Sequence, residues 1–254
     1  MVSGLIRSET GHIAGSSLIP GMWILTLTSY DPLPHPAQTM KSEIFNEDCM
    51  LGMARYPDKH FDLAIIDPPY GLDTKLSIGG GSHTKSKVKF GQRYKENGKT
   101  WDKEIPTPEY FEELKRVSKN QIIFGGNYYH LGPTRGFIIW DKPEMRIPTM
   151  SDCEFAWTSF DRPAKIVSIS RGFKQPESHP TQKPIKLYRW ILKNYGGSSI
   201  GTKILDTHLG SGSSRIAAHD MGFDFTGFEI DKDYFEASEK RFQQHISQLT
   251  MFPK

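Results

Sequence analysis

The stretch Lys203–Asp231, KILDTHLGSGSSRIAAHDMGFDFTGFEID, decides the reading of the fold. A short apolar run of strand length meets a glycine-containing turn, continues as a helix that closes on Gly222, and returns as a second apolar run ending in Glu229. In a doubly wound sheet such a turn lets a ligand approach the backbone at a helix N-terminus, and an acid closing the next strand can accept hydrogen bonds from ribose hydroxyls. Gly210, Ser211 and Gly212 are the small residues of this turn, and Ser213 and Ser214 follow where a third glycine would complete a dinucleotide fingerprint. The incomplete fingerprint disfavours a pyrophosphate-bearing dinucleotide, and with it a nicotinamide dehydrogenase. No Walker lysine is present. The segment therefore predicts an adenosine-containing ligand without phosphates, of which S-adenosylmethionine is the natural candidate.

Outward from this segment, FDLAIID, NQIIFGGN and GFIIWDK are continuous apolar runs, the pattern of strands covered on both faces. Helical stretches separate several of them. TPEYFEELKRVS opens with Thr107 as a candidate N-cap and Pro108 at the first helical position. PIKLYRWILKNYGG carries Ile185, Tyr188, Leu192 and Tyr195 on one face and closes on Gly196, and the last helix aligns Phe235, Phe242, Ile246 and Leu249. The predicted class is α/β, a Rossmann-like, mostly parallel seven-stranded sheet with helices on both faces. One antiparallel strand is expected, from CEFAWTSF or AKIVSIS.

Composition narrows the class further. With 254 residues, 37% hydrophobic and 24% charged, the chain is long enough for one sizeable core of ordinary soluble type. Two cysteines, Cys49 and Cys153, are too few for a disulfide framework and lack zinc spacing, so the expectation is a cytoplasmic protein with no metal and no membrane partner. Residues 1–39 show no sustained period and end in a proline-rich joint, which marks them as a disordered extension of a domain spanning 40–254. The net charge of +3 announces no global basic field, yet the 72–104 segment alone carries basic residues at 75, 85, 87, 89, 93, 95, 99 and 103. A long basic loop in a compact domain reads as a nucleic-acid contact and target-recognition segment.

At the exit of the first long apolar run stands AIIDPPYGL, Ala64–Leu72. Each proline fixes its own φ and lacks an N–H, so Asp67, Pro68 and Pro69 present acceptors and almost no donors. That chemistry suits an exocyclic amino group, and Tyr70 adds a flat face on which a base taken out of its stack can lie. An aromatic amine is a poor nucleophile because its lone pair is delocalised. Accepting its hydrogens frees the pair for in-line attack, so positioning and electrostatics supply the rate.

DPPY together with DTHLGSGSS resembles the S-adenosylmethionine-dependent amino-group DNA methyltransferases, adenine N6 and cytosine N4, in the permuted β order with the catalytic motif first. NEDCM, IIFGGNYY, IIWDK, CEFAWTSF, HPTQKP and the QLTMF tail extend the resemblance over nearly everything from Met40 onward. It implies a circularly permuted class I methyltransferase fold that flips its base into a pocket of Asp67, Pro68, Pro69 and Tyr70, with Asp67 also facing the cofactor. Asp206, Thr207, His208, Gly210, Ser211, Gly212, Ser213 and Ser214 would hold the methionine part of S-adenosylmethionine, and Glu229 its ribose. Asp48 and Cys49 would meet its adenine, and Lys183 its carboxylate, with S-adenosylhomocysteine as product. Simpler roles compete: Asp48 as a helix cap, Cys49 as a buried thiol, Lys183 as a solvated charge.

Where the family commonly reads Asp-Pro-Phe, this chain has Thr207 and His208 in the second and third places, which predicts a polar contact and a packing or hydrogen-bonding role for His208. Asp67 goes mostly with adenine N6 in the family, Ser with cytosine N4. The resemblance thus implies an adenine-specific methyltransferase of double-stranded DNA, with cytosine N4 transfer or a catalytically silent nucleic-acid-binding protein as alternatives. It leaves room for a homodimer and for a cognate restriction endonuclease as partners.

Overall fold

The computed structural model describes residues 40–71, 105–145, 151–172 and 182–251. The expectations for residues 1–39, for the basic 72–104 segment and for His179 to Thr181 of HPTQKP lie outside the described residues.

Among the described residues, eight strands form one sheet: β1 (Ser42–Phe45), β2 (Phe61–Ile66), β3 (Ser118–Phe124), β4 (Ile138–Asp141), β5 (Cys153–Thr158), β6 (Lys165–Ser168), β7 (Lys203–Asp206) and β8 (Asp224–Phe228). Their spatial order is β1-β8-β7-β2-β3-β5-β4-β6. Only β5 runs against its neighbours, pairing antiparallel with β3 and β4, whereas every other pairing is parallel. Of the two candidate antiparallel segments, CEFAWTSF therefore supplies the strand, and AKIVSIS supplies the parallel edge strand β6. Eight strands replace the seven expected. The strand that no apolar run announced is β1, four residues on the opposite edge with none fully buried.

Among the described residues five α-helices cover the faces: α1 (Cys49–Met53), α2 (Pro108–Val117), α3 (Ile185–Tyr195), α4 (Ser213–Met221) and α5 (Lys232–Met251). Thr107 stands at the N-cap of α2, but its side chain makes no capping hydrogen bond, and Pro108 opens the helix. On α3 the anticipated stripe widens to include Leu187 and Ile191. The α4 helix stops at Gly222, whose φ of 81° is the left-handed conformation that glycine tolerates.

Alternation along β2 explains how both faces are filled. Leu63 and Ile65 join Phe124, Trp140, Leu187 and Ile191 in one core, while Ala64 and Ile66 join Met53, Phe111, Leu114 and Phe228 in the other. With both faces buried the strand has no polar face, which is why it reads as an unbroken apolar run. Close approach on the second face is extreme at Gly52 in α1, where a Cβ would fall 2.3 Å from the Phe228 ring.

The sheet's centre is also its topological switch. β2 and β7 are neighbours although about 140 residues separate them in the chain. From β2 the chain proceeds to β3 on one side, and from β7 to β8 on the other. The carboxyl ends of β2 and β7, Asp67 and Asp206, thus open on the crevice where ligands of open α/β sheets bind.

Because Leu63 is fully packed at this centre, Leu63→Ala should cost about 2–5 kcal/mol in a urea unfolding experiment. A loss under about 1 kcal/mol would show that the two-faced core does not close on β2.

Candidate active site

Asp67 follows β2 directly and is the hub of the site. Its Oδ1 accepts the Tyr70 hydroxyl hydrogen at 2.5 Å, and its Oδ2 forms an ion pair with Lys183 Nζ. Burial pushes the Asp67 carboxyl above the usual range, and the Lys183 ammonium pulls it back. An ionised carboxylate has about four lone-pair positions, so two acceptor sites remain for a ligand after these contacts.

The proline carbonyls are held from the turn that follows β3. Tyr129 is buried, and its hydroxyl lies 2.9 Å from Pro68 O and 2.8 Å from Pro69 O. One hydroxyl hydrogen can serve only one carbonyl at a time, and each carbonyl keeps a second lone pair. Gly125, with φ of 68°, lies so close to Tyr70 that a Cβ there would fall 2.3 Å from its ring. Tyr128 stacks on Tyr70 with centroids 5.0 Å apart and planes 22° apart. FGGNYY, residues 124–129, is therefore the wall that sets the position of DPPY.

The glycine turn after β7 is braced from three sides. Asp206 accepts the His208 N–H at 3.0 Å and the Ser214 hydroxyl hydrogen at 2.5 Å, and burial raises its pKa to about 7. Glu229, at the end of β8, accepts the N–H of Gly210 at 2.8 Å and that of Asp231 at 2.9 Å, while burial holds its carboxyl above the usual range. Arg241 of α5 donates to Ser211 O at 2.7 Å and to Ser213 Oγ at 2.9 Å. Gly210 and Gly212 both have positive φ, and Gly212 caps α4 without any side-chain hydrogen bond. The first N–H groups of α4 thus face the crevice with no side chain claiming them, next to a strand-end carboxylate.

Thr207 and His208 make a polar cluster with Tyr110 of α2. Thr207 Oγ1 is 2.5 Å from the Tyr110 hydroxyl and 3.0 Å from His208 Nδ1. Burial lowers the His208 pKa to about 4, so the imidazole is neutral near pH 7. This agrees with a hydrogen-bonding role and leaves no charge there to act as an acid. Asp48 caps α1 by accepting the Met50 N–H at 2.7 Å, the simpler of its two anticipated roles. Burial, with the charge of Asp48 beside it, pushes the Cys49 thiol up to about 12, which makes it an inert packing group.

All the described candidate residues therefore gather on the carboxyl edge of β1, β8, β7 and β2. Lys183 differs from its anticipated place in one respect: its ammonium is engaged with Asp67 and with Glu154 of β5. Tyr129, Gly125, Arg241, Tyr110 and Glu154 belong to the site without having been singled out in the sequence. IIFGGNYY carried a hint of Gly125 and Tyr129, and CEFAWTSF of Glu154, as quoted segments without a named role; Tyr110 lay unremarked in the helix TPEYFEELKRVS, and nothing pointed to Arg241. Among the described residues no cluster of three or more His, Cys, Asp or Glu could hold a metal ion, and no helix is long and apolar enough to cross a membrane.

Comparison with known proteins follows the same lines. Residues 138–240 match the family model described as DNA methylase. The chain is 22% identical over 256 residues to the type II methyltransferase M.HinfI of Haemophilus influenzae, covering 79% of this chain and 68% of that protein. It is 35% identical over 65 residues to the type II methyltransferase M2.DpnII of Streptococcus pneumoniae, covering 26% of this chain and 24% of that protein. Among solved structures, the M1.HpyAVI–SAM complex aligns with a TM-score of 0.50 and 21% identity over 78% of this chain and 98% of that chain, a likeness of fold.

The neutral His208 yields a linked prediction. Its folded pKa lies below the ordinary value of 6.5, so its contribution to stability is complete above 6.5 and is lost as pH falls toward about 4. An NMR titration of the imidazole should show its midpoint near 4. A midpoint at 6 or above, on the order of the free residue's, would contradict the buried cluster.

Proposed function

We propose that this chain, whose residues 138–240 match the DNA methylase family model, is a DNA amino-methyltransferase that transfers a methyl group from S-adenosylmethionine to the N6 amino group of adenine in double-stranded DNA. The observation that carries this reading is the donor-poor exit of β2. Asp67 and the carbonyls of Pro68 and Pro69 offer acceptors, and Tyr70 offers a flat ring, at the crevice that the glycine turn also borders.

The residues of the turn fit the cofactor. The uncapped N-terminus of α4 and the backbone at Gly210 to Gly212 would take its methionine end, with Asp206 near the ammonium. Glu229 would take the ribose hydroxyls through lone pairs left after Gly210 and Asp231, and Asp48 and Cys49 would border the adenine. When bound, S-adenosylmethionine supplies an electrophilic sulfonium methyl group.

The chain's own residues do the rest. Asp67 Oδ and Pro68 O accept the two amino hydrogens of a base flipped out of the helix, and Tyr70 supports its ring. Both contacts draw the amino nitrogen toward tetrahedral geometry and localise its lone pair for attack. As the nitrogen gains positive charge, the Asp67 carboxylate stabilises it, and the surplus proton leaves after transfer. His208 is not needed as a base: with a pKa lowered by burial to about 4 it accepts a proton poorly near pH 7, and its Nδ1 is engaged with Thr207. The choice of adenine over cytosine rests on Asp67 at the first place of the motif. Residues 40–254 would form the catalytic domain, with the basic 72–104 segment contacting DNA phosphates.

The test is incubation of the purified chain with tritiated S-adenosylmethionine and unmethylated DNA, followed by nucleoside mass spectrometry. N6-methyladenine is expected. N4-methylcytosine would overturn the choice of base, and absence of label from every nucleic acid would overturn the enzymatic reading. Asp67→Ala should lower turnover about a hundredfold or more with cofactor affinity little changed.

A further inference from the structure

Beyond the DPPY wall lies a chain of four alternating charges, two buried lysines between partly buried carboxylates whose side chains are 16% (Asp67) and 28% (Glu154) exposed. Lys142 follows β4, Glu154 is the second residue of β5, Lys183 precedes α3 and Asp67 follows β2, so four separate segments converge on one edge of the sheet. Lys142 Nζ is 3.2 Å from Glu154 Oε1, Glu154 Oε2 is 3.3 Å from Lys183 Nζ, and Lys183 pairs with Asp67. The side chains of Lys142 and Lys183 are only 7% and 3% exposed. Desolvating four charges is costly, and an uncompensated one costs more, so the chain holds together only as a set.

We propose that Glu154, steadied by Lys142, is a positioning residue for methyl transfer: it holds the Lys183 ammonium against Asp67. This rests on the function proposed above and reassigns Lys183 from the cofactor to the amino-group pocket. The ammonium stands between two counter-charges, Asp67 Oδ2 and Glu154 Oε2 at 3.3 Å, and donates to the Tyr70 hydroxyl at 3.4 Å; Oε2 makes no hydrogen bond and acts on it as a charge. The rings of Phe124, 4.6 Å away, and Tyr70, 5.8 Å away, close the remaining sides and favour a cation there.

The electrostatics agree. Against the cost of burial, Asp67 and Glu154 hold the Lys183 ammonium above the ordinary lysine range, and Lys183 and Lys142 hold the Glu154 carboxyl below its ordinary range. The groups facing Asp67 are Lys183, Glu154 and Tyr70, with Asp206 and Tyr188 within electrostatic reach, so Lys183 is the cation that offsets its burial. Removing that cation makes Asp67 keep its proton to higher pH, and the acid limb of the rate profile must rise.

A double-mutant cycle on the purified full chain separates positioning from mere structural support. Glu154→Gln, Lys183→Gln and the double variant are compared by single-turnover methyl transfer to DNA and by calorimetric S-adenosylmethionine affinity. Glu154→Gln should slow transfer about tenfold, leave cofactor affinity unchanged, and add nothing once Lys183 is Gln. Lys183→Gln should move the acid limb to higher pH. Additive losses, or an unaltered rate in Glu154→Gln, would overturn the proposal, as would an unmoved acid limb.

Should Glu154→Gln fail to fold, Lys142→Met, which touches neither Lys183 nor Asp67, should give a smaller loss that also vanishes in the Lys183→Gln background. An additive loss overturns the proposal there too. If the wild-type chain methylates no nucleic acid, the function fails on its own terms, and 15N NMR of the lysine ammonium groups decides the network. A slowly exchanging Lys183 signal should be present in the wild type and lost in Glu154→Gln. Its persistence unchanged would overturn the network.

Discussion

A carboxylate at the end of a buried strand faces opposing demands. In the proposed transfer Asp67 would have to be ionised to attract an amino group and stabilise the charge developing on it, yet removal from water favours its neutral form. The Lys183 ammonium reconciles these demands by pairing with Oδ2, while the Tyr70 hydroxyl occupies Oδ1. Much of the surrounding architecture follows from that balance. Lys183 needs its own compensation, which Glu154 supplies, and Glu154 is balanced in turn by Lys142.

Topology brings these groups together. β2 and β7 meet at the switch point, so the acceptor-rich exit of one strand opens beside the glycine turn of the other. The antiparallel β5 has a specific consequence. Running against its neighbours, it begins where they end, and so delivers Glu154 to the edge that carries Asp67 and Lys142. A parallel strand in that place would have put its first residue at the far side of the sheet. The β3 exit adds rigidity through Tyr129 on the proline carbonyls and Gly125 beneath Tyr70.

Much of this was legible in the sequence because the relevant signals are local. Unbroken apolar runs announced β2, β3, β4 and β7, the glycine turn announced the helix start, and DPPY stated its own donor deficit. Strand β1 was not legible, being four residues long and incompletely buried on the sheet edge, where periodicity has nothing to report. The charge chain was invisible for a different reason. A lysine or glutamate reads as solvated surface unless its partner is known, and these partners come from four segments spread between residues 67 and 183. Tyr110 was hidden likewise: on a helical face it reads as core, and only the fold brings its hydroxyl to Thr207 across 97 residues.

The central claim is that the exit of β2 receives one amino nitrogen. Its most direct test is a crystal structure with S-adenosylhomocysteine and a DNA duplex carrying the methylated sequence. The account predicts a flipped base on Tyr70, its exocyclic nitrogen within hydrogen-bonding distance of both Asp67 Oδ and Pro68 O, with Lys183 still paired to Asp67. A base seated elsewhere, or a Lys183 turned away to the cofactor's carboxylate, would contradict it.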